Sequence, residues 1–349
     1  MRSMDEIYMA RALQLAAVTH YSVAPNPMVG AVIVCDDQII GEGYHACCGG
    51  PHAEINAIAS VTDPSLLTRS TMYVTLEPCS HYGKTPPCAK AIVEHRIARV
   101  VVGCMDPFPQ VSGRGIRMMQ AGGVDVTVGV LEQECLALNR RFISFHAKRR
   151  PYIILKWAQS ADGFMDRKRT SVAEPVAVIS TPVIQTMVHK IRSEVQAILV
   201  GTQTALLDNP SLNVRYWSGK SPLRVVLDRT LRIPAHYHLL DDSLPTWVVT
   251  QQTRQSTAQT TYVHLDFEKE GIPALLNRMY ENDIQSLLVE GGAQTLRSFI
   301  DSSLWDEAYI ETGAQSFGEG VVAPVLSNAC LQRDPMWVDH HLLTHYCKY

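Results

Sequence analysis

Three short segments in the first half of the chain carry side chains that bind transition metals. They are residues 52–54 (His-Ala-Glu), 77–79 (Glu-Pro-Cys) and 86–88 (Pro-Pro-Cys). One imidazole and two thiolates suit tetrahedral zinc, and three protein ligands leave the fourth position open for water. The sequence therefore predicts a zinc site. Its predicted ligands are His52, Cys79 and Cys88.

Glu54 is the candidate proton carrier beside this metal. Zinc lowers the pKa of a bound water, and a nearby carboxylate can take the proton and pass it to a substrate. On a regular helix, side chains two residues apart diverge. His52 and Glu54 therefore converge only if His52 lies at the irregular entry to the helix predicted over residues 52–60. The His-x-Glu and Pro-Cys elements are typical of zinc deaminases, although those carry a close cysteine pair and here eight residues separate Cys79 from Cys88.

Alternating helices and strands surround the three segments. Helical spacing of apolar residues predicts helices over residues 9–17, 52–60, 89–95, 115–122 and 132–146. β-rich runs predict strands over residues 29–35, 38–44, 72–76, 99–104 and 124–130. Ser3 and Glu6 have the spacing of a capping box before the first helix. This alternation predicts a layered α/β sheet with helices on its faces.

A basic run at residues 148–150 precedes Pro151 and marks a predicted boundary between two domains, residues 1–147 and 148–349. The second half is also α/β. Its predicted strands are residues 152–157, 197–200, 224–227, 246–250 and 286–289, and its predicted helices are residues 182–192, 272–282 and 292–301.

Residues 290–295 (Glu-Gly-Gly-Ala-Gln-Thr) lie between a strand and a helix of this second half. Adjacent glycines at a helix N-terminus let backbone N–H groups approach a phosphate, although Gly-Gly is equally an ordinary turn. No Gly-x-Gly-x-x-Gly motif follows a strand, so a Rossmann nicotinamide site is not supported.

The composition limits the classes of function. A chain of 349 residues, 46% hydrophobic and 19% charged, predicts a soluble protein of about two domains. Residues 1–150 hold 14 basic and 13 acidic side chains, which leaves 17 and 21 for the rest, so neither half has the basic excess that binds nucleic acid. No apolar run approaches the length of a membrane span and no signal peptide is recognisable. Nine cysteines, an odd number spread over the chain, predict a cytoplasmic protein with reduced thiols.

The insert between the two cysteines, residues 79–88 (Cys-Ser-His-Tyr-Gly-Lys-Thr-Pro-Pro-Cys), resembles the bifunctional RibD deaminase/reductase family of riboflavin biosynthesis. Residues 25–30 (Pro-Asn-Pro-Met-Val-Gly), 43–45 (Gly-Tyr-His) and 74–78 (Val-Thr-Leu-Glu-Pro) are further matches. The resemblance extends over nearly the whole chain. It implies an N-terminal cytidine-deaminase-like three-layer α/β/α domain and a C-terminal dihydrofolate-reductase-like α/β domain.

The resemblance implies two reactions on one small molecule, a phosphoribosylated pyrimidine. The first is zinc-dependent hydrolytic deamination of diaminohydroxyphosphoribosylaminopyrimidine, with one Zn²⁺ per chain. The second is NADPH-dependent reduction of the ribosyl side chain to ribityl. In the first domain, His52, Cys79 and Cys88 would bind zinc and Glu54 would carry the proton. Candidate substrate contacts there are Asn26, His45 and Lys84. No nucleic-acid or membrane partner is implied, and a homo-oligomer is compatible with the sequence.

The second domain is similar to the family's reductase core over residues 197–204 and 207–215. The resemblance implies cofactor contacts from Thr204, Asp208, Gly291, Gly292, Ala293, Gln294 and Thr295. It implies substrate contacts from Lys156, Arg192, Leu212, Arg215 and Glu290. The two arginines suit a sugar phosphate, because the guanidinium fork pairs with phosphate oxygens bidentately.

The chain departs from the family pattern at two places. Phe108 stands where the family has Asn, and residues 175–182 (Pro-Val-Ala-Val-Ile-Ser-Thr-Pro) lack the Ser and Trp that the family usually carries there. The second departure, centred on Val176 to Val178, leaves a monofunctional deaminase with a degenerate reductase domain as an alternative. A deaminase of free nucleosides or tRNA would leave the second half of the chain unexplained. A non-catalytic pyrimidine-binding regulator would not need Glu54.

Overall fold

A computed structural model describes residues 2–19, 23–82, 86–106, 112–327 and 329–348. The chain divides into two compact units, Met1–Arg149 and Arg150–Tyr349. The division falls two residues after the boundary that the basic run suggests. Within the described ranges, no helix combines the length and the apolar character needed to cross a bilayer.

The first unit is built on one five-stranded sheet. Its strands are β1 (Gly30–Cys35), β2 (Gln38–Tyr44), β3 (Thr71–Leu76), β4 (Arg99–Cys104) and β5 (Asp125–Val128). Its helices are α1 (Met4–Ala17), α2 (Ala53–Ala59), α3 (Cys88–Glu94), α4 (Arg114–Ala121), α5 (Glu132–Leu138) and α6 (Arg140–Lys148), with a 3₁₀ helix at Pro64–Arg69. The strand order is β2-β1-β3-β4-β5. β1 runs antiparallel to β2 and β3, whereas β3, β4 and β5 are parallel.

Helices cover both faces of this sheet. α2, α3 and α4 bury Ala57, Ile92 and Met119 against one face, and α1 and α5 bury Met9 and Cys135 against the other. Successive residues of a strand point to opposite faces, so each central strand contributes to both layers of core. The predicted capping box is confirmed at the start of α1, since the Ser3 and Glu6 side chains each bond the other residue's backbone N–H.

The single helix predicted over residues 132–146 is wrong, because the chain breaks at Asn139 into α5 and α6. The buried Asn139 side chain accepts a hydrogen bond from Met28 N at 2.8 Å and donates one to Met28 O at 2.9 Å. Its backbone, at φ −101° and ψ 18°, leaves the helical region. An Asn side chain that satisfies distant backbone groups competes with helix continuation, and here that tie outweighs the helical pattern.

The second unit holds a larger sheet. Its main strands are β6 (Tyr152–Gln159), β8 (Ala197–Gly201), β9 (Leu223–Leu227), β10 (Thr246–Thr250), β11 (Thr260–His264), β12 (Ser286–Gly291), β13 (Glu307–Thr312) and β17 (His341–Lys348). Short strands are β7 (Phe164–Asp166), β14 (Val321–Val322), β15 (Ala329–Leu331) and β16 (Met336–Val338). The helices are α7 (Pro182–Ser193), α8 (Thr202–Asp208), α9 (Gly271–Glu281) and α10 (Ala293–Asp301), with a 3₁₀ helix at His238–Leu240.

The strand order of the large sheet is β11-β10-β9-β8-β12-β6-β13-β17-β15, with β16 also paired to β17. The strands from β11 to β13 are parallel, and β17 returns antiparallel to β13. α9 and α10 pack Leu276 and Phe299 on one face, while α8 packs Ala205 on the other. Because β6, β8, β9 and β12 run in the same direction, their carboxyl ends share one edge, where α/β sheets bind ligands.

Candidate functional site

The three predicted metal ligands of the first unit converge. The ligand atoms of His52, Cys79 and Cys88 all lie within 4.8 Å of one another. His52 Nδ1 is 3.3 Å from Cys88 Sγ and 3.6 Å from Cys79 Sγ. Zinc bonds of 2.0–2.3 Å in tetrahedral geometry require ligand atoms roughly 3.5–3.8 Å apart, so small adjustments of these side chains suffice to bind the ion.

Each ligand sits where a regular element begins or ends. His52 immediately precedes α2, Cys79 follows β3, and Cys88 is the first residue of α3. The Cys88 N–H donates to Cys79 Sγ at 3.3 Å. Interactions with Cys88 and His52 hold the pKa of the Cys79 thiol well below its usual range. The interaction with Cys79 has the opposite effect on Cys88 and raises the pKa of its thiol. Zinc binds thiolates, so metal binding at this site would release the Cys88 proton.

The Glu54 carboxyl lies beside the cluster because of the way α2 begins. His52 has an extended backbone with φ −73° and ψ 165°, which is the irregular helix entry that convergence of the two side chains requires. Glu54 is 3% exposed, and its carboxyl lies near enough to His52, Cys79 and Cys88 to interact with them electrostatically. Burial raises the pKa of Glu54 to about 7, so this carboxyl can take up and release a proton near neutral pH.

Asn26 and His45 lie next to the cluster. His45 Nδ1 is 3.0 Å from Pro51 O, so this nitrogen carries the proton, and Nε2 accepts from Asn26 Nδ2 at 2.9 Å. The His45 ring packs edge-on against His52, with ring centroids 5.3 Å apart. These contacts fix the tautomer of His45 and hold both side chains beside a metal ligand. Lys84, the third predicted substrate contact of this unit, and Phe108 lie outside the described residues.

Glu77 has a role that its position in the Glu-Pro-Cys segment does not reveal. Its buried carboxylate accepts hydrogen bonds at 2.9 Å from the backbone N–H groups of both Gly113 and Gly115, and so fastens the start of α4. A Cβ on Gly115 would clash with Pro78 O, so glycine lets α4 approach the metal-binding segment. No short-range pattern in the sequence indicates this contact, because Gly113 lies 36 residues from Glu77.

The second unit contains a cavity of ≈ 970 Å³ at the carboxyl ends of its parallel strands. The predicted residues that line it are Lys156, Thr204, Asp208, Glu290, Gly291, Gly292, Ala293, Gln294 and Thr295. Three other predicted residues, Arg192, Leu212 and Arg215, are outside the described lining.

Arg192 positions Glu290 at the cavity wall. Its Nε and Nη2 donate to the two Glu290 oxygens at 2.8 and 2.6 Å, and its Nη1 donates to Asn213 O at 3.2 Å. Burial opposes ionisation of Glu290, but Arg192, together with Lys156, outweighs it, and the pKa of Glu290 falls below its usual value. Burial also lowers the pKa of Lys156, against the opposing charges of Glu290 and Glu311. A carboxylate and an amine thus meet at this end of the cavity.

The Gly291–Gly292 segment brings backbone into the cavity. Gly291 has φ +141°, a conformation that other residues rarely adopt. A Cβ on Gly292 would come within 2.9 Å of Thr204 Oγ1. α10 begins directly afterwards, so its unpaired N–H groups and positive dipole end lie at the cavity and suit a phosphate.

Arg169 was not predicted from the sequence, yet it lines the cavity with its side chain 4% exposed. Its guanidinium binds the carboxylate of Asp208 and, at 2.7 Å, that of Asp166. Asp208 is therefore held by a cation in this structure. No short-range pattern in the sequence indicates this contact, because Asp208 lies 39 residues from Arg169.

The segment that lacks the family's Ser and Trp still forms cavity wall. Val176, Ala177, Ile179 and Ser180 line the cavity, while Val178 is 69% exposed. Ser180 Oγ donates to Glu311 Oε2 at 2.5 Å, and the other Glu311 oxygen is 2.7 Å from Nδ1 of a histidine at the start of β17. This buried network anchors the segment although two expected side chains are missing.

Comparison with known proteins identifies the same two regions. The family model described as the cytidine and deoxycytidylate deaminase zinc-binding region matches residues 2–104, and that of the RibD C-terminal domain matches residues 151–328. The chain is 36% identical over 332 residues to the riboflavin biosynthesis protein RibD of Aquifex aeolicus, covering 92% of this chain and 90% of that protein. It is 35% identical to that of Escherichia coli over 333 residues, covering 90% and 89%.

Solved structures extend the likeness to the fold. One is a diaminohydroxyphosphoribosylaminopyrimidine deaminase/5-amino-6-(5-phosphoribosylamino)uracil reductase from Thermotoga maritima, with a TM-score of 0.86, 34% identity and 99% coverage of both chains. Another is RibD of Acinetobacter baumannii, with a TM-score of 0.88, 31% identity and 99% coverage of both chains. Together with the family models, they confirm the predicted deaminase-like α/β/α and dihydrofolate-reductase-like α/β fold classes.

Proposed function

This chain belongs to the RibD family of bifunctional riboflavin-biosynthesis enzymes, and on that basis we propose which residues carry each of its two activities. The enzyme is both a hydrolytic deaminase and a reductase. We assign the deaminase to residues 1–147 and the reductase to residues 148–349. The metal cluster in one compact unit and the cavity in the other support this division.

The observation that carries the deaminase assignment is the convergence of His52, Cys79 and Cys88 with the buried Glu54. The three ligands fit one Zn²⁺ per chain, which when bound supplies an acidified water and polarises the substrate. Glu54 would accept one proton from that water and pass it to the ring nitrogen. It would then carry the second proton, from the hydroxyl added to the ring carbon, to the amino group, which leaves as ammonia. The burial of Glu54 in the same helix start as His52, one of three converging ligands, supports this role.

Substrate recognition in the deaminase would fall to Asn26, His45 and Lys84. The amide and imidazole groups can read the edge of a pyrimidine ring, and an ammonium suits the phosphate of the phosphoribosyl group. The hydrogen bond between Asn26 and His45, together with the packing of His45 on His52, supports the first two assignments.

The reductase would use the cavity of the second unit. NADPH supplies a hydride when bound. The N–H groups at the start of α10 would hold its phosphates, and the cofactor contacts would be Thr204, Asp208, Gly291, Gly292, Ala293, Gln294 and Thr295. The ribosyl chain would lie between Lys156 and Glu290, where cationic and anionic groups can bind its hydroxyls.

Arg192, Leu212 and Arg215 would complete the substrate site. Arg192 holds Glu290 and also donates to Asn213 O, while Arg215 donates to Asn213 Oδ1 at 2.9 Å. Asn213 thus links the two arginines, which supports a shared role at the sugar phosphate. We further propose a cytoplasmic enzyme without a nucleic-acid partner, supported by nine cysteines, an odd number spread over the chain, and a net charge of −3.

A mass-spectrometric product assay tests this function. Purified full-length protein receives diaminohydroxyphosphoribosylaminopyrimidine with NADPH, and we expect 5-amino-6-(5-phosphoribitylamino)uracil. Glu54→Gln serves as the matched control, which should keep its zinc but leave the ring amino group in place. A product that is deaminated but not reduced would support the degenerate-reductase alternative, and unchanged substrate with zinc-loaded protein would overturn the proposal.

A further inference from the structure

Two cysteines of the second unit lie opposite each other on neighbouring strands. β15 and β17 pair antiparallel, and Cys330 is the direct partner of Cys347 in their register. The two Sγ atoms are 3.1 Å apart. The Cys330 thiol also contacts Cys347 O at 3.4 Å, and the Cys347 thiol contacts Gln332 Oε1 at 2.7 Å. The fold thus brings two sulfur atoms into contact at a place that neither proposed activity uses.

The geometry of this pair suits a disulfide bond. Directly opposed residues of antiparallel strands have Cα atoms about 4.5–5.5 Å apart, and disulfides join residues whose Cα atoms are about 4.4–6.8 Å apart. The two sulfur atoms would have to approach by only about 1 Å to reach the length of an S–S bond. Rotation of the two side chains supplies a movement of this size, so the strands need not separate or shift.

Residues beside the two cysteines keep them opposed. Ala329 and Tyr346, each next to one of the cysteines in sequence, pack against the hydrophobic core of the second unit. A register slip of one residue would turn these side chains away from the core. The ladder continues beyond the cysteines, where Gln332 N donates to His345 O at 2.8 Å. The contact between the sulfur atoms is therefore set by the packing of the strands.

A bond between the cysteines would strengthen the weakest edge of the large sheet. β15 is three residues long and is the outermost strand, paired only with β17 among the strands of the described residues. Short edge strands make few hydrogen bonds and open at a lower free energy than central strands. Residues 332–340 lead from β15 through β16 to β17. A disulfide would close this loop and hold β15 on the sheet.

β17 also supports the reductase cavity. His341, the first residue of β17, binds the carboxylate of Glu311, which in turn accepts a hydrogen bond from Ser180 at the cavity wall. Cys347 lies near the other end of the same strand. A bond at Cys347 would therefore act on the strand that anchors the cavity wall.

We propose that Cys330 and Cys347 are a redox modification site, where a small disulfide oxidant of the glutathione type forms a reversible disulfide that fastens β15 to β17. One cysteine thiolate attacks a sulfur of the oxidant, breaks its S–S bond and releases one glutathione thiolate. The other cysteine thiolate then attacks the protein sulfur of this mixed disulfide and releases the second glutathione. The two cysteines lose two protons and two electrons, and the oxidant gains them as two thiols.

The direction of this exchange depends on the surrounding glutathione. A reducing pool keeps the two cysteines as thiols, in agreement with the cytoplasmic enzyme proposed above, and an oxidised pool drives formation of the bond. The inference depends on neither of the two activities, since it concerns the edge of the sheet and its cysteines.

Cysteine mapping on the full-length protein in the presence of Zn²⁺ tests the site. The protein is incubated with glutathione disulfide, the remaining thiols are alkylated, and a protease digest is analysed by mass spectrometry. We expect a cross-linked pair of peptides that contain Cys330 and Cys347, and dithiothreitol should separate them. Alkylation of both cysteines would overturn the proposal, and so would a glutathione adduct that persists on either of them.

The melting temperature shows whether the bond fastens β15. The two cysteines are 17 residues apart in sequence, and closing a loop of this size should raise the melting temperature of the oxidised protein by about 5 °C. Cys330→Ser should melt at the same temperature with and without oxidant. Cys48→Ser, which removes an exposed thiol of the first unit, is the matched control and should keep both the cross-link and the shift.

Two results of the melting experiment would contradict the proposal. A cross-linked protein that melts at the temperature of the reduced protein would show that the bond does not fasten β15. A shift that persists in Cys330→Ser would show that the oxidant acts at other cysteines.

Discussion

The metal cluster and the reductase cavity are assembled in different ways. The cluster takes three ligands from residues 52–88, at the ends of two helices and one strand. The cavity is lined by residues between Lys156 and Val321, which the sheet topology brings to one edge. The first site concentrates its chemistry in a few side chains, whereas the second distributes binding over backbone groups and many contacts. Single substitutions should therefore cause complete loss at the cluster and graded loss at the cavity.

The sharpest test of this contrast is Cys88→Ala. Removing one of three protein ligands should abolish stoichiometric zinc binding and lower deamination by more than about 1,000-fold, because the activated water is lost. Reduction of supplied deaminated substrate should be unchanged. Metal analysis and product mass measure the two effects. Cys48→Ala, which removes an exposed thiol outside the cluster, should retain both activities, and a Cys88→Ala protein with one zinc per chain would refute the ligand set.

A smaller effect is expected at Glu77, which supports the cluster from outside. Glu77→Gln turns an amide N–H₂ toward backbone N–H groups of Gly113 or Gly115, which leaves buried donors unpaired. We expect the free energy of unfolding to fall by about 2–3 kcal/mol, measured by urea denaturation of zinc-loaded protein. Glu94→Gln, at an exposed glutamate that pairs with Lys90, should change it by less than about 0.5 kcal/mol. Equal stabilities of the two variants would mean that Glu77 does not fasten α4.

The difference between the two sites also explains which of their residues could be predicted from the sequence. A site built from residues close in sequence leaves a spacing pattern, so the sequence predicted that His52, Cys79 and Cys88 would lie together, and the structure places them within 4.8 Å of one another. The contacts of Glu77, Arg169 and Ser180 were missed, because their partners lie 36, 39 and 131 residues away. Such pairs are set by the sheet topology, which local patterns do not encode.

The same distinction holds for the fold. Helices and parallel strands with strong apolar patterns were predicted close to their observed bounds, whereas β13 and β17 were not predicted. β13 carries Glu307 and Glu311 among its apolar residues, and its neighbour β6 pairs Ile154 with Glu307. Its strand conformation thus depends on a partner about 150 residues away in sequence, a long-range context that overrides local propensity.

His189 of α7 offers a test on the reductase side through pH. It is buried, and its Nδ1 accepts a hydrogen bond from Arg215 N at 3.0 Å. Burial, together with Arg192 and Arg215, lowers its pKa to about 4. Below the usual histidine pKa of 6.5 the unfolded chain binds a proton that the folded protein excludes until about pH 4. Neutral His189 therefore contributes fully to the free energy of unfolding above pH 6.5. This contribution is lost as the pH falls, and about 2 kcal/mol is lost at pH 5.

His189→Asn keeps a hydrogen-bond acceptor but cannot be protonated. Between pH 7 and pH 5, we expect the free energy of unfolding to fall in both proteins. The fall should be smaller in this variant than in the unchanged protein, and the two falls should differ by about 2 kcal/mol. Urea denaturation at the two pH values measures the difference. His264→Asn, at an exposed histidine of β11, is the control and should retain the full pH dependence. Identical pH dependences in all three proteins would show that His189 titrates normally.

Arg215→Ala should have the smallest effect on activity, and the separate changes in KM and kcat of the reductase should show what this residue does. The Arg215 side chain is exposed, donates to Asn213 Oδ1 and packs over the Tyr216 ring at 4.7 Å. If it binds the sugar phosphate, away from the carbon that is reduced, its contact is equal in the ground and transition states. The reductase KM should then rise about 10-fold with little change in kcat, and deamination should be unaffected.

Lys220→Ala, which removes an exposed charge five residues further on, controls for general electrostatic attraction of the substrate. An unchanged KM in Arg215→Ala would assign the phosphate contact to other residues, whereas a loss of kcat would place Arg215 near the reacting carbon. A pure KM effect would instead show binding energy divided among several contacts, so that each one can be removed without stopping the reaction. We expect such a partial loss from a cavity whose many contacts are brought together by the sheet topology. A cluster of three metal ligands should instead lose its activity completely when one ligand is removed.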